Sequence, residues 1–236
     1  MSSVVINNDT IAPLKRTESR ENNPLLRRLV EGKNPEVLTD IYHEDVNIVV
    51  WQRQLENKLT RAVNYFLVDN KKLASVLVLT PENCLEVLSD KFDQLQGIKP
   101  LLVDITLLVE MYCCLFELKQ VGLRLTILDR PMCPRFHVDR IPCRLVTTYQ
   151  GEATQWLNNN VIDRSKLGAG NQGKSDEQSG LIKNIEDINQ LTLGDVAILK
   201  GENWDEHKGG GLVHRSPTVS SPGASRLLLT LDFVNE

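Results

Sequence analysis

Two histidines and an aspartate carry most of the chemistry that this chain could perform. His137 and Asp139 lie in Cys133-Pro-Arg-Phe-His-Val-Asp139, and His214 lies in Gly211-Leu-Val-His-Arg215. Two imidazoles and one carboxylate can occupy one face of an octahedral metal and leave three positions open, a donor set suited to iron(II) and oxygen. Strand side chains alternate with period two, so a His-x-Asp spacing puts both groups on one side of an extended backbone. The third ligand must then come from a distant strand, and His214 sits on a short apolar, strand-like run. Arg226 follows in Ser-Arg-Leu-Leu-Leu-Thr-Leu, where its guanidinium could hold a co-substrate carboxylate by a bidentate bond.

Blander roles compete with these. His214 could be a half-buried histidine satisfied by a hydroxyl, and Arg226 could form a structural ion pair with Asp232 or Asp195. A rival metal set, Cys133, His137, Asp139 and Cys143, falls within one short segment. Thiolates favour tetrahedral zinc(II), but Pro134 and Pro142 work against the unbroken strand that would align all four. The polar loop Glu202-Asn-Trp-Asp-Glu-His-Lys-Gly-Gly-Gly211 holds His207, an alternative ligand or substrate contact, although a solvated turn explains the loop better.

Strands and helices must bring these residues together. Residues 1–34 are rich in Asn, Ser, Arg and Glu and read as a mobile N-terminal arm. Residues 35–122 read as a mainly helical portion that braces the core. It opens with a strand candidate over Asp45–Trp51. Leu55, Leu59, Ala62, Val63, Phe66 and Leu67 then fall at helical spacing. A second helix is expected from Thr80 as N-cap, with Pro81 in the first turn and Leu85, Leu88, Phe92 and Leu95 facing inward. A third, apolar on most sides, is expected from Ile98 to Val121, stopped by Gly122.

From Leu123 the hydrophobic period changes to two, and residues 123–236 read as the β-rich, metal-binding portion. The strand candidates are Leu123–Leu128, Arg144–Tyr149, Gln190–Lys200, Gly211–Arg215 and Ser225–Phe233. Residues 164–180, rich in Gly, Ser, Lys and Gln, read as an exposed insertion loop. Helices first and strands second make the chain α+β.

Composition narrows the function classes. In 236 residues, 41% hydrophobic and 25% charged content is ordinary for a globular protein. A net charge of −4 without a basic run argues against a nucleic-acid partner. The apolar stretch Leu101–Leu118 contains Asp104, Glu110 and Glu117. Each acidic group would cost roughly 2.5–3.5 kcal/mol at a bilayer centre, so a buried helix is expected and no membrane partner. Five unevenly spaced cysteines and a polar N-terminus without a signal-peptide core point to the cytoplasm.

His137, Asp139, His214 and Arg226 together resemble the iron(II)- and 2-oxoglutarate-dependent dioxygenases, over roughly Leu123 to Phe233. Leu191-Thr-Leu-Gly-Asp195-Val-Ala-Ile-Leu-Lys-Gly201 is similar to the strand-turn that commonly precedes the distal histidine in those folds. The resemblance implies a double-stranded β-helix of the cupin or jelly-roll type, with iron(II) and 2-oxoglutarate as cofactors and an oxygenase reaction on a substrate it does not identify. Under that reading Tyr149 or Thr148 adds a hydroxyl donor beside Arg226 at the co-substrate carboxylate.

The strings His137-Val-Asp139-Arg-Ile-Pro-Cys-Arg-Leu-Val-Thr-Thr-Tyr-Gln-Gly151 and His214-Arg-Ser-Pro217 more closely resemble a bacterial family known by a domain-of-unknown-function label, DUF1826. Its members tend to be encoded near zinc-homeostasis genes. That resemblance implies the alternative, a non-catalytic metal-binding protein of metal homeostasis with zinc(II) alone.

Overall fold

A computed structural model describes residues 27–70, 72–204, 209–219 and 224–234. Seven strands make one large sheet: β1 (Arg28–Gly32), β2 (Val46–Trp51), β3 (Ala74–Leu79), β4 (Val121–Leu128), β5 (Cys143–Gln150), β8 (Val196–Lys200) and β10 (Arg226–Asp232). Their spatial order is β1-β2-β8-β5-β10-β4-β3, antiparallel except for the parallel β1–β2 pair. A small sheet of order β7-β6-β9 consists of β6 (Gln155–Leu157), β7 (Ile188–Gln190) and β9 (Val213–Arg215). The helices are α1 (Asn57–Asp69), α2 (Cys84–Lys91) and α3 (Lys99–Phe116).

Alternation along the central strands gives the large sheet two different faces. Leu123, Leu125, Leu145, Tyr149, Leu227, Leu229 and Leu231 pack with Leu101, Ile105, Leu108 and Tyr112 of α3 in the main core. Burying a leucine completely is worth about 1.5–3 kcal/mol, and Leu227, Leu229 and Leu231 are all wholly buried. The opposite face carries Ile48, Val50, Val146, Ala197, Leu199 and Leu228, which pack with Trp156 and Leu212. The small sheet covers part of that face and has its own cluster of Phe136, Leu157, Leu181, Ile182 and Val213. No described helix is long and apolar enough to cross a membrane.

Several expectations need correction. Of the N-terminal arm, residues 1–26 lie outside the described residues, and Arg28–Gly32 is a strand pairing with β2. The portion 35–122 is less helical than expected, because besides the expected strand β2 it contributes β3 to the large sheet. The third helix ends at Phe116, where Glu117 adopts a left-handed conformation (φ 53°), and Val121–Gly122 already belong to β4. It is also one-sided: Val103 and Leu107 are exposed. The second helix starts at Cys84, one turn after Thr80. Thr80 and Asn83 instead close the preceding turn, each side-chain oxygen accepting from the other's backbone N–H. Its first inward residue is therefore Cys84, not Leu85.

Gln190–Lys200 is not one strand. The chain leaves the small sheet at Gln190 and enters the large sheet at Val196 through a turn in which Asp195 accepts from Thr192 N–H and Gly194 has φ +88°. Glycine meets that angle without the steric cost of a β-carbon. The loop at 164–180 is partly exposed, and buried Asp176 pins it inward by accepting from Phe136 N–H and pairing with Arg215.

Behind the large sheet, Arg53 forms a two-pronged bond with Asp104 of α3 (2.7 and 2.9 Å), and Tyr149 donates to the same carboxylate (2.7 Å). Asp104→Ala strips a buried cation and a buried phenol of their shared acceptor. Losing one partner of such a pair costs about 3–5 kcal/mol. The urea midpoint should fall accordingly, while metal binding by the folded protein stays unchanged.

Candidate metal centre and anion pocket

The site lies between the two sheets. His137 and His214 are paired residue to residue, each backbone N–H donating to the other's carbonyl at 3.0 Å. Directly opposed residues of an antiparallel bridge present their side chains to the same face, and the imidazole centroids are 4.6 Å apart. Asp139, two residues beyond His137, joins them: one donor atom from each of the three residues lies within 4.8 Å of the others. Asp139 Oδ1 is 3.7 Å from His137 Nε2, and Asp139 Oδ2 is 3.4 Å from His214 Nε2.

The surroundings prepare these groups for a cation. His137 Nδ1 lies 2.9 Å from the Arg135 carbonyl and His214 Nδ1 lies 3.2 Å from the Leu212 carbonyl. A carbonyl can only accept, so each Nδ1 carries the proton and each Nε2 offers its lone pair to the centre of the triad. Arg144 donates to Asp139 Oδ2 (2.6 Å) and is itself held by Asp232 through two bonds of 2.7 and 2.9 Å. Burial alone would raise the Asp139 pKa, but His214, Arg144 and His137 outweigh it and bring the carboxyl down to about 2. The triad therefore combines two neutral nitrogens and one ionised oxygen donor, which fits a divalent cation.

Arg226, at the start of β10, is only 3% exposed and lines the same cavity as His137 and His214. It donates to the hydroxyls of Thr154 (2.8 Å), Thr148 (3.2 Å) and Ser216 (3.2 Å), and its Nε has no partner. No carboxylate pairs with it among the described residues, so neither Asp232 nor Asp195 neutralises it; Asp232 serves Arg144 instead. Burial lowers its pKa to about 10, which leaves it a cation at neutral pH.

Thr148 thus stands beside Arg226, whereas Tyr149 does not. Tyr149 points through the sheet to Asp104 on the helix side, because neighbouring residues of a strand face opposite ways. The cysteine-containing set does not assemble either: Cys143 packs in the main core, where burial raises its thiol pKa, while Cys133 is exposed at the cavity. His207 lies outside the described residues.

Sequence reasoning missed Arg144, Asp232, Ser216 and Thr154. Arg144 and Arg226 do share one legible signal, a charged residue in the first two positions of a strand rich in Leu, Val and Thr.

Burial, then the charge of neighbouring His214, lower the His137 pKa. Its folded value lies below its unfolded value, so the unfolded chain takes up the proton first. The metal-free protein should lose stability as pH falls through roughly 6.5, and should lose the Asp139 contribution only at much lower pH, as it falls from the ordinary carboxylate range through about 2. Metal binding requires neutral imidazoles. A metal-release titration should therefore show histidine protonation alone, with its His137 step below the ordinary value, and Asp139 should add no step in that range.

Known structures with overall likeness include a Pseudomonas putida prolyl-4-hydroxylase, 13% identical, covering 85% of this chain and 98% of its own at a TM-score of 0.41. The dioxygenase for auxin oxidation 1 of Arabidopsis thaliana, solved with 2-oxoglutarate, is 9% identical and covers 89% and 93% at 0.49. The dioxygenase for auxin oxidation of rice is 10% identical and covers 88% and 83% at 0.46. No curated protein sequence matches the chain. The family described as "Protein of unknown function (DUF1826)" matches residues 32–232, a span that takes in β2 to β10 and every residue of the triad, and the chain belongs to that family.

Proposed function

We propose that this protein is an iron(II)- and 2-oxoglutarate-dependent oxygenase, with His137, Asp139 and His214 as the metal ligands. The observation that carries the reading is Arg226: a buried cation without a carboxylate partner among the described residues, in the same cavity as the two imidazoles that Asp139 joins. A buried charge is costly unless paired, and the far carboxylate of 2-oxoglutarate would supply the partner. We read the facing large and small sheets as the two halves of a double-stranded β-helix.

The chain's own residues have defined tasks in this reading. The carbonyls of Arg135 and Leu212 fix the tautomer and orientation of the two imidazoles. Arg144 keeps Asp139 ionised and occupies its Oδ2, which directs Oδ1 to the shared centre. Arg226 would orient the co-substrate, and Thr148, Thr154 and Ser216 hold the guanidinium plane. When bound, iron(II) with 2-oxoglutarate and dioxygen would supply the oxidising power, with one oxygen atom going to succinate as carbon dioxide leaves and the other to a C–H bond of the substrate. The protein's contribution is binding, orientation and exclusion of competing reactions.

Purified without oxygen, the protein should bind iron(II) at one equivalent per chain, and His214→Ala should abolish that binding. Replacing Cys133 by Ser and Cys143 by Ala together should leave it intact, because no thiol belongs to the cluster. Loss of metal in the cysteine double variant would move the site to the zinc–thiolate set.

Arg226→Leu separates co-substrate binding from metal binding. It removes one charge-assisted interaction, worth about 1.5–3 kcal/mol, so 2-oxoglutarate should bind about ten- to one hundred-fold more weakly. Metal affinity should hold, and thermal stability without ligands should change little, because the lost bonds to Thr148, Thr154 and Ser216 offset the relief of an unpaired buried cation. Absence of any 2-oxoglutarate-dependent change in the anaerobic optical spectrum of the wild-type iron(II) protein would sink the enzyme reading.

A further inference from the structure

Four arginines line the cavity: Arg124, Arg144, Arg215 and Arg226. Two of them are neutralised by the protein, Arg144 by Asp139 and Asp232 and Arg215 by Asp176 and Glu177. Arg226 is answered by the co-substrate in the reading above, on which this inference rests. Arg124 remains. It makes no ion pair or hydrogen bond among the described residues, although it projects from β4 into the same cavity.

Its neighbours are unsatisfied as well. Arg124 is paired across the ladder with Thr230 of β10, and Thr126 is the next β4 residue on that face. Both threonines line the cavity and are more than nine-tenths buried, at 7% and 5% exposure, and neither hydroxyl has a hydrogen-bond partner. Buried hydroxyls without partners are rare enough in folded proteins to need an explanation. A carboxylate offers two oxygens with about four acceptor sites. A guanidinium fork fills two of them and two hydroxyls fill the rest.

We propose that Arg124, Thr126 and Thr230 bind the carboxylate of the oxygenase's primary substrate, a carboxylic acid with an apolar body. Two features fix how it would lie. On the β3 side, Val76 stands directly across from Arg124 and is 66% exposed, with Val78 at 55%, so the groove is open to solvent there. In the other direction β10 alone separates β4 from β5, and Leu228, Val146 and Met132 line the way toward the triad. Adjacent strands are about 4.8 Å apart, so crossing from β4 to β5 covers roughly 10 Å. The acid enters over β3, anchors at Arg124 and extends its apolar body toward the metal, which places the oxidised carbon several bonds from the carboxylate.

The test uses hexanoate and 3-phenylpropionate, each against its own primary amide, titrated calorimetrically into the full chain loaded with manganese(II) and 2-oxoglutarate. Both acids should bind about ten-fold or more tightly than their amides, as expected for one charge-assisted contact. Arg124→Gln should erase that preference while 2-oxoglutarate affinity changes by less than about two-fold. Val76→Glu, at an exposed position, sets a carboxylate opposite Arg124 without disturbing the core and should erase the preference too.

Equal binding of acids and amides to the wild-type protein would overturn the proposal, as would a preference that survives both substitutions. Loss of 2-oxoglutarate instead of the acids in Arg124→Gln would make Arg124 the co-substrate anchor, and would also overturn it. If 2-oxoglutarate fails to bind while acid binding still depends on Arg124, the acid site stands and the oxygenase reading falls.

Discussion

Strand β10 must satisfy two environments at once, and the rest of the molecule is arranged around that requirement. Its odd-numbered leucines, Leu227, Leu229 and Leu231, are wholly buried against the helices. Its even-numbered residues, Arg226, Leu228, Thr230 and Asp232, turn to the other face and supply the buried cation, the cavity floor and the anchor for Arg144. Side chains on a strand repeat with a period of two, so a slip of one residue would drive Arg226 and Asp232 into the apolar layer and push the leucines into the cavity. Burial of three leucines therefore fixes the register that places the polar groups. Packing energy on one face specifies chemistry on the other.

This coupling explains what was legible in the sequence. The triad could be read because each signal is local: His137 and Asp139 share a short segment, and His214 lies on a recognisable strand. The most regular strands, β4, β5 and β10, could be read from their alternation. Residues that depend on tertiary pairing were not. β3 has ordinary strand residues but is short and lies between helices, so its membership of the sheet rests on its ladder with β4. The division of Gln190–Lys200 between two sheets follows from a turn whose purpose appears only when both sheets are present.

Tyr149 shows a different limit. Its proximity in sequence to Thr148 suggested a shared role, yet adjacent strand residues face opposite ways, and the partner that draws Tyr149 away is Asp104, on a helix far back in the chain. Arg144 was overlooked for a related reason. Its role is defined by Asp139 and Asp232 together, and one sequence does not show that they converge. The Asp139 carboxylate is thus part of a chain of charges that runs through Arg144 to Asp232 on the last strand, not an isolated group.

The small sheet has one more implication. Its three strands, β6, β7 and β9, come from separate parts of the chain, and the segments between them include the pinned loop at 164–180 and the whole of β8. None of its pairings is a tight hairpin, so each must close a long loop before gaining any contact in return, and long closures carry an entropy cost that local pairings avoid. His214 belongs to β9, and its backbone bridge to His137 forms only when the small sheet does. The two imidazoles thus meet only through pairings between segments far apart in the sequence, so a substitution that loosens the small sheet should draw His214 away from His137 without touching either residue.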